Sequence, residues 1–289
     1  MKQTSRFRTR AAVIASIAVA IAASVSAPQA SATSLSYVSL GASFAAGAGV
    51  PERVPGSPAG CGRSTNNFAH VVAKTKDYQL TDVSCGGAQV RNLEISQLEG
   101  QGPQFEALRA DTDLVTLLIG YNDSFVYTGS LNSCAEQQSG GISSEVMTCE
   151  ARNGTRFADA INTTTASAIA GALSDIKSKS PHARVIVVGY PAIFPQRGNC
   201  RPQNPYSVAD TAYLNGIEKD LNAMLAREAG DAGVEYVDTF TPSIPYNSCT
   251  GPATRWIEPR TGAIGASTQH PNARGENGIA QQVLAKIGP

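Results

Sequence analysis

Short apolar runs alternate along this chain with longer stretches in which apolar residues recur every three or four positions. Runs rich in Leu, Val and Ile read as strands and the wider spacing reads as helix, so the alternation predicts an α/β fold with a parallel sheet covered on both faces. Five strands are expected, near Tyr37 to Leu40, Leu80 to Val83, Leu114 to Ile119, Val185 to Val188 and Val234 to Val237. Ala166, Ile169, Ala170, Leu173 and Ile176 form one helical stripe, stopped by Pro181, and Tyr213, Ile217, Leu221, Met224 and Leu225 form another; both are core faces. A last helix, from about Gly275 to Ile287, follows His270 directly. The segments Ser124 to Phe157, Pro191 to Ser207 and Phe240 to Ser267 are rich in Gly, Pro, Ser and Asn and are expected to be irregular loops that shape a site.

The first residues change the picture of compartment. Lys2, Arg6, Arg8 and Arg10 precede an apolar run from Ala11 to about Val25, and Ala30-Ser31-Ala32 follows. That pattern predicts a secretory signal peptide over residues 1–32, cleaved after Ala32, rather than a transmembrane anchor, because a span needs roughly 20 apolar residues. The remaining chain, 33–289, is expected to be one secreted, extracellular domain. Loss of four cations leaves 19 basic against 23 acidic residues. Nucleic acid is then an unsuitable partner, and with no cationic amphipathic stretch a stable membrane anchor is not expected. A monomer is the expected state.

Cys61, Cys85, Cys134, Cys149, Cys200 and Cys249 all lie beyond the signal, and an even count in an exported chain predicts disulfides. Nearest-neighbour pairing, 61/85, 134/149 and 200/249, would staple one irregular segment each. There is no C-x-x-C pair, so no metal site is expected, and nothing implies a cofactor.

Four places carry candidate chemistry. In Leu40-Gly41-Ala42-Ser43-Phe44 a strand runs into a turn of small residues, which presents Ser43 at the carboxyl edge of the sheet; a serine there could equally cap a helix. Cys85-Gly86-Gly87-Ala88 follows the second strand, where glycine lets backbone N–H groups approach a ligand. Gly120-Tyr121-Asn122-Asp123 ends the most apolar strand, and Asn122 could aim its amide at a developing oxyanion or form an Asx-turn. Asp123 is assigned a structural role, since a carboxylate would oppose an oxyanion. His270 is the candidate general base, because of the three histidines His70 lies in a helical stretch and His182 in a surface turn.

The order of these four elements resembles the SGNH (GDSL-like) hydrolase superfamily. Tyr37-Val38-Ser39-Leu40-Gly41-Ala42-Ser43 and Arg255-Trp256-Ile257-Glu258-Pro259, with the cysteine placement, look like secreted bacterial esterases and lipases of that superfamily. The resemblance spans the mature chain. It implies a three-layer α/β/α, flavodoxin-like fold, a small-molecule or lipid ester as substrate, and Ser43 as nucleophile with His270 as base. It further implies an oxyanion hole from Ser43 N–H, Gly87 N–H and the Asn122 side chain.

Two positions depart from the family pattern. Its Gly-Asp-Ser is here Gly41-Ala42-Ser43, and its Asp three residues before the histidine is here Ser267. A backbone carbonyl from residues 265–268 is expected to orient His270; Asp238 is the alternative. Two other functions compete: deacetylation of a polysaccharide, and binding by a domain that has lost catalysis. A single tryptophan offers little aromatic platform for sugar.

Overall fold

Strands form where the chain can bury both faces of the backbone. In the computed structural model β1 (Ser36–Gly41), β3 (Leu114–Leu118) and β4 (Arg184–Val188) are buried almost throughout, while β2 (Gln79–Asp82) and β5 (Glu235–Val237) are shorter and partly exposed. They form one sheet in the order β2-β1-β3-β4-β5 with every pairing parallel. The partly exposed strands are thus its edges. The structure describes Met1, residues 34–135 and residues 147–289; the signal peptide expected over residues 1–32 lies, Met1 apart, outside the described residues. Ser34–Pro289 is a compact unit by itself.

The helices are α1 (Ser43–Ala46), α2 (Phe68–Lys76), α3 (Val126–Ala135), α4 (Cys149–Asn153), α5 (Arg156–Ala160), α6 (Ala166–Lys179), α7 (Val208–Asp231), α8 (Phe240–Ser243) and α9 (Ala273–Ile287). From β1 the chain moves one way along the sheet to β2, and from β3 the other way to β4 and β5. Right-handed crossovers therefore put α2 on one face and α6 with α7 on the other. The packing agrees: α2 meets α9, and α6 meets α7, giving three layers. The reversal between β1 and β3 opens a crevice at their carboxyl ends, the place where open α/β sheets bind ligands.

Two expectations need correction. Ala170 is exposed, and Ala172 instead completes the buried stripe of Ala166, Ile169, Leu173 and Ile176. The helix turns that stripe about its axis so that position 172, beside 169 and 176, faces the sheet. The described residues of segment 124–157 are not irregular throughout, for α3, α4 and the start of α5 lie among them. Its Gly, Ser, Thr and Asn content hides a few buried anchors, Val126, Leu131, Cys134, Cys149 and Phe157. Tertiary contact overrides weak propensity there, and the Thr148 side chain caps α4 by accepting from Ala151 N–H. In segment 240–267, α8 is likewise helical; 191–207 contains no helix or strand.

The cysteines pair as Cys61–Cys85, Cys134–Cys149 and Cys200–Cys249. Closing a loop of the second pair's length is worth about 3 kcal/mol in the chain-entropy model. No helix among the described residues is long and apolar enough to cross a membrane.

Candidate active site

Ser43 stands where β1 ends. Gly41 pairs in register with Leu118 of β3, and a Cβ on Gly41 would lie 2.5 Å from the Leu118 carbonyl oxygen, so only glycine lets the chain turn against β3 there. The Gln104 side chain bonds both backbone groups of Gly41, accepting from N–H at 2.8 Å and donating to C=O at 3.0 Å. Ala42 is buried, and its carbonyl accepts from Ala45 and Ala46 N–H, which starts α1. Ser43 is thereby held half-exposed, and as the first residue of α1 it has an N–H with no intrahelical acceptor.

His270 approaches from the loop before α9. Its Nε2 lies 2.8 Å from Ser43 Oγ and its Nδ1 lies 2.8 Å from the Thr268 carbonyl oxygen. A carbonyl can only accept, so Nδ1 carries the proton in the neutral ring and Nε2 presents a lone pair to the serine hydroxyl. His270 is 9% exposed, its ring tilted on Phe44 at 4.8 Å between centroids and edge-on to Tyr127 at 5.5 Å. Burial pushes the imidazole pKa down from its ordinary value, and the Thr268 carbonyl partly opposes the shift.

The loop is anchored from behind. Glu258 N–H donates to His270 C=O and Gln269 N–H to Glu258 C=O, both at 2.9 Å. The Glu258 carboxylate takes bonds from Arg255, Asn272 and Ile264 N–H. Burial pushes its pKa up, but those bonds and the Arg255 charge hold it below the usual range. Asn272 in turn caps α9 through Arg274 and Gly275 N–H. The 255–259 segment thus fixes the position of the histidine loop. Ser267 contributes its backbone N–H to Ala48 C=O at 2.9 Å. Asp238 accepts from Phe240 and Thr241 N–H at the start of α8, so its carboxylate serves that turn.

Gly87 follows β2 with φ of 77°, the left-handed region, and no acceptor for its N–H is found among the described residues. Asn122 follows β3; its Nδ2 donates one hydrogen to Ala88 C=O at 3.0 Å, which leaves the second free. The two turns are laced together by Gln89 Nε2 donating to Asn122 C=O and by Val90 N–H donating to the Asp123 carboxylate. Burial pushes the Asp123 pKa up to about 6, against the Val90 bond. Asp123 therefore braces the turn.

Reading the sequence did not identify Gln104 or Tyr127, the latter having its hydroxyl 3.3 Å from His270 Nδ1. A polar residue in the first turn of a helix just after Asn122 was the available signal. His70 and His182 lie elsewhere, on α2 and at an exposed turn. A groove of about 790 Å³ beside α9, lined by Trp256, Ile264, Arg274 and Gln281 among others, includes neither Ser43 nor His270. Reactive geometry, not volume, marks the site. Among the described residues no group of three or more His, Cys, Asp or Glu side chains is placed to hold a metal ion.

Comparison with known proteins points the same way. A family model described as GDSL-like Lipase/Acylhydrolase matches residues 39–277. Lipase 2 of Streptomyces coelicolor is 40% identical over 268 residues, or 91% of this chain and 89% of its own length. The crystal structure of an extracellular lipase from Streptomyces rimosus superposes with a TM-score of 0.73 at 26% identity, over 88% of this chain and 100% of that one. That of a phospholipase A1 from Streptomyces albidoflavus gives 0.73 at 25% identity over the same shares.

Proposed function

This chain belongs to the GDSL-like lipase/acylhydrolase family and is a carboxylic ester hydrolase, and from that premise we propose that Ser43 is its nucleophile and His270 its general base. The observation that carries the reading is the 2.8 Å contact of His270 Nε2 with Ser43 Oγ, with Nδ1 held by the Thr268 carbonyl. Ser43 Oγ attacks the ester carbonyl as Nε2 takes its proton. The tetrahedral oxyanion is held by Ser43 N–H, Gly87 N–H and the free Asn122 amide hydrogen. One such donor is typically worth about 3 kcal/mol of barrier. Collapse expels the alcohol, protonated by the imidazolium, and leaves an acyl-serine; water then attacks with His270 again as base.

A Ser-His dyad of this kind needs no carboxylate, because the Thr268 carbonyl selects the tautomer and faces the imidazolium that forms. The substrates are esters of fatty acyl chains, a reading supported by relatives named as lipases and by the similarity to a phospholipase A1. Export through a signal peptide over residues 1–32 fits the extracellular lipase among the relatives and the three disulfides. The mature chain, 33–289, acts as a single-domain monomer.

The test is hydrolysis of p-nitrophenyl esters of graded acyl length by the wild type and Ser43→Ala side by side. Turnover that rises with acyl length and vanishes in the variant is expected. Turnover that survives in Ser43→Ala would reject the nucleophile, and turnover confined to acetate would reject the acyl class.

A further inference from the structure

The segment that delivers Asn122 also delivers Tyr127. Ser124 and Phe125 both take left-handed φ values, 50° and 56°, which L-residues seldom adopt in succession. The double reversal starts α3 at once, with Tyr127 N–H bonded to Tyr121 C=O at 2.9 Å. The Tyr127 ring packs edge-on against Phe44, Tyr121 and His270. Its hydroxyl lies 3.2 Å from Gln269 C=O and 3.3 Å from His270 Nδ1.

The hydrogen positions follow from the acceptors. Gln269 C=O can only accept, so the phenol proton points there, and a lone pair of the same oxygen faces Nδ1–H. Nδ1–H is then shared between Thr268 C=O and the phenol oxygen. Gln269 itself sits at φ 58°, and its side chain donates to Tyr206 Oη, which also accepts from Arg260. The phenol thus grips both the ring and the left-handed residue before it.

We infer that Tyr127 is a positioning residue for His270, its hydroxyl serving as second acceptor for Nδ1–H and holding the ring in line with Ser43. This rests on the dyad proposed above and extends it by a residue to which no role has been assigned. An imidazolium N–H is a stronger donor than a neutral one, so the phenol oxygen favours the protonated ring that forms during attack. Among the described residues no carboxylate bonds the ring. Glu218, on α7, has its pKa pushed up by burial, and its carboxyl group accepts from Ile193 N–H rather than bonding the ring. The other groups around Tyr127 are Tyr190, Tyr206 and Arg260, and none of them bonds the ring. Burial pushes the Tyr127 phenol itself upward, so it stays neutral across the working range.

Tyr127→Phe removes one oxygen and keeps the ring packing. The expected result is a kcat lower by about ten- to a hundredfold with KM unchanged, as for loss of a hydrogen bond to a charged group. The acid-limb midpoint of kcat/KM should also move to lower pH, because the protonated ring has lost an acceptor. The downfield Nδ1–H proton resonance should shift in the variant. A packing role alone would move neither the midpoint nor the resonance. Wild-type kcat, midpoint and resonance in Tyr127→Phe, with Ser43→Ala inactive, would overturn the inference and leave the dyad standing. Activity retained by Ser43→Ala would overturn the dyad itself.

Discussion

Two histidines of this protein are held in ordered polar surroundings, and they differ in an instructive way. His70, on α2, has its Nδ1 2.9 Å from Asn67 Oδ1 and 3.6 Å from the Asp82 carboxylate. His270 has a backbone carbonyl at 2.8 Å and a serine at 2.8 Å instead. The histidine with the carboxylate is thus not the one that meets the serine hydroxyl. Asp82 also accepts from Asn67 Nδ2 and from Ser84 N–H and Oγ, and lies 3.7 Å from Arg63, so it joins α2 to the end of β2. A carboxylate beside a histidine marks a structural network in one region; in the other, under the proposed dyad, a backbone carbonyl takes the carboxylate's place.

Burial lowers the pKa of both rings, opposed by Asp82 for His70 and by the Thr268 carbonyl for His270. Both are therefore neutral near pH 7, the form a general base needs. The sharpest way to break the comparison is to remove each ring. His270→Ala should lower kcat by about four powers of ten or more, whereas His70→Ala should leave kcat within about twofold. The wild-type kcat/KM should rise with pH through a midpoint below the ordinary 6.5, since the lowered pKa keeps His270 unprotonated further into acid. Equal losses from both alanines, or a midpoint above 6.5, would erase the distinction.

Next in size is the oxyanion side. Asn122→Ala should cost about two to three powers of ten in kcat with little change in KM. Melting temperature should be measured alongside, because Asn122 also bonds Ala88 C=O. In the His70 region the effect should fall on stability. Asp82→Asn is expected to cost about 1–3 kcal/mol in denaturant unfolding while kcat holds, as its bonds to Ser84 and Arg63 weaken. The smallest effects are expected from Ser267→Ala and Asp238→Asn, each within about twofold in kcat/KM by steady-state assay. Ser267 contributes backbone groups alone, its N–H to Ala48 C=O and its C=O to His270 N–H, and Asp238 accepts from the first N–H groups of α8. A large loss from Ser267→Ala would remove the carbonyl's claim to orient the ring.

Much of this arrangement was legible from residue order. All five strands could be placed to within a residue or two because each is a short run with β-branched or apolar residues, and Ser43, Gly87, Asn122 and His270 stand out because each follows a strand or precedes a helix. The segment 124–157 misled because helix there depends on a disulfide and a few buried anchors rather than on periodicity. Ala170 misled because alanine is apolar enough to count in a stripe yet small enough to be exposed. Tyr127 and Gln104 escaped notice for a different reason. Their partners, His270 and Gly41, are distant in sequence, and only the fold brings them into contact.

The central claim is that Ser43 is activated by a histidine held without a carboxylate. Labelling with a p-nitrophenyl alkylphosphonate, followed by peptide mapping with the disulfides intact, tests it most directly. One adduct on Ser43 is predicted in the wild type and in Asp238→Asn, with labelling abolished by His270→Ala. An adduct on another residue, or undiminished labelling of Ser43 without His270, would contradict it.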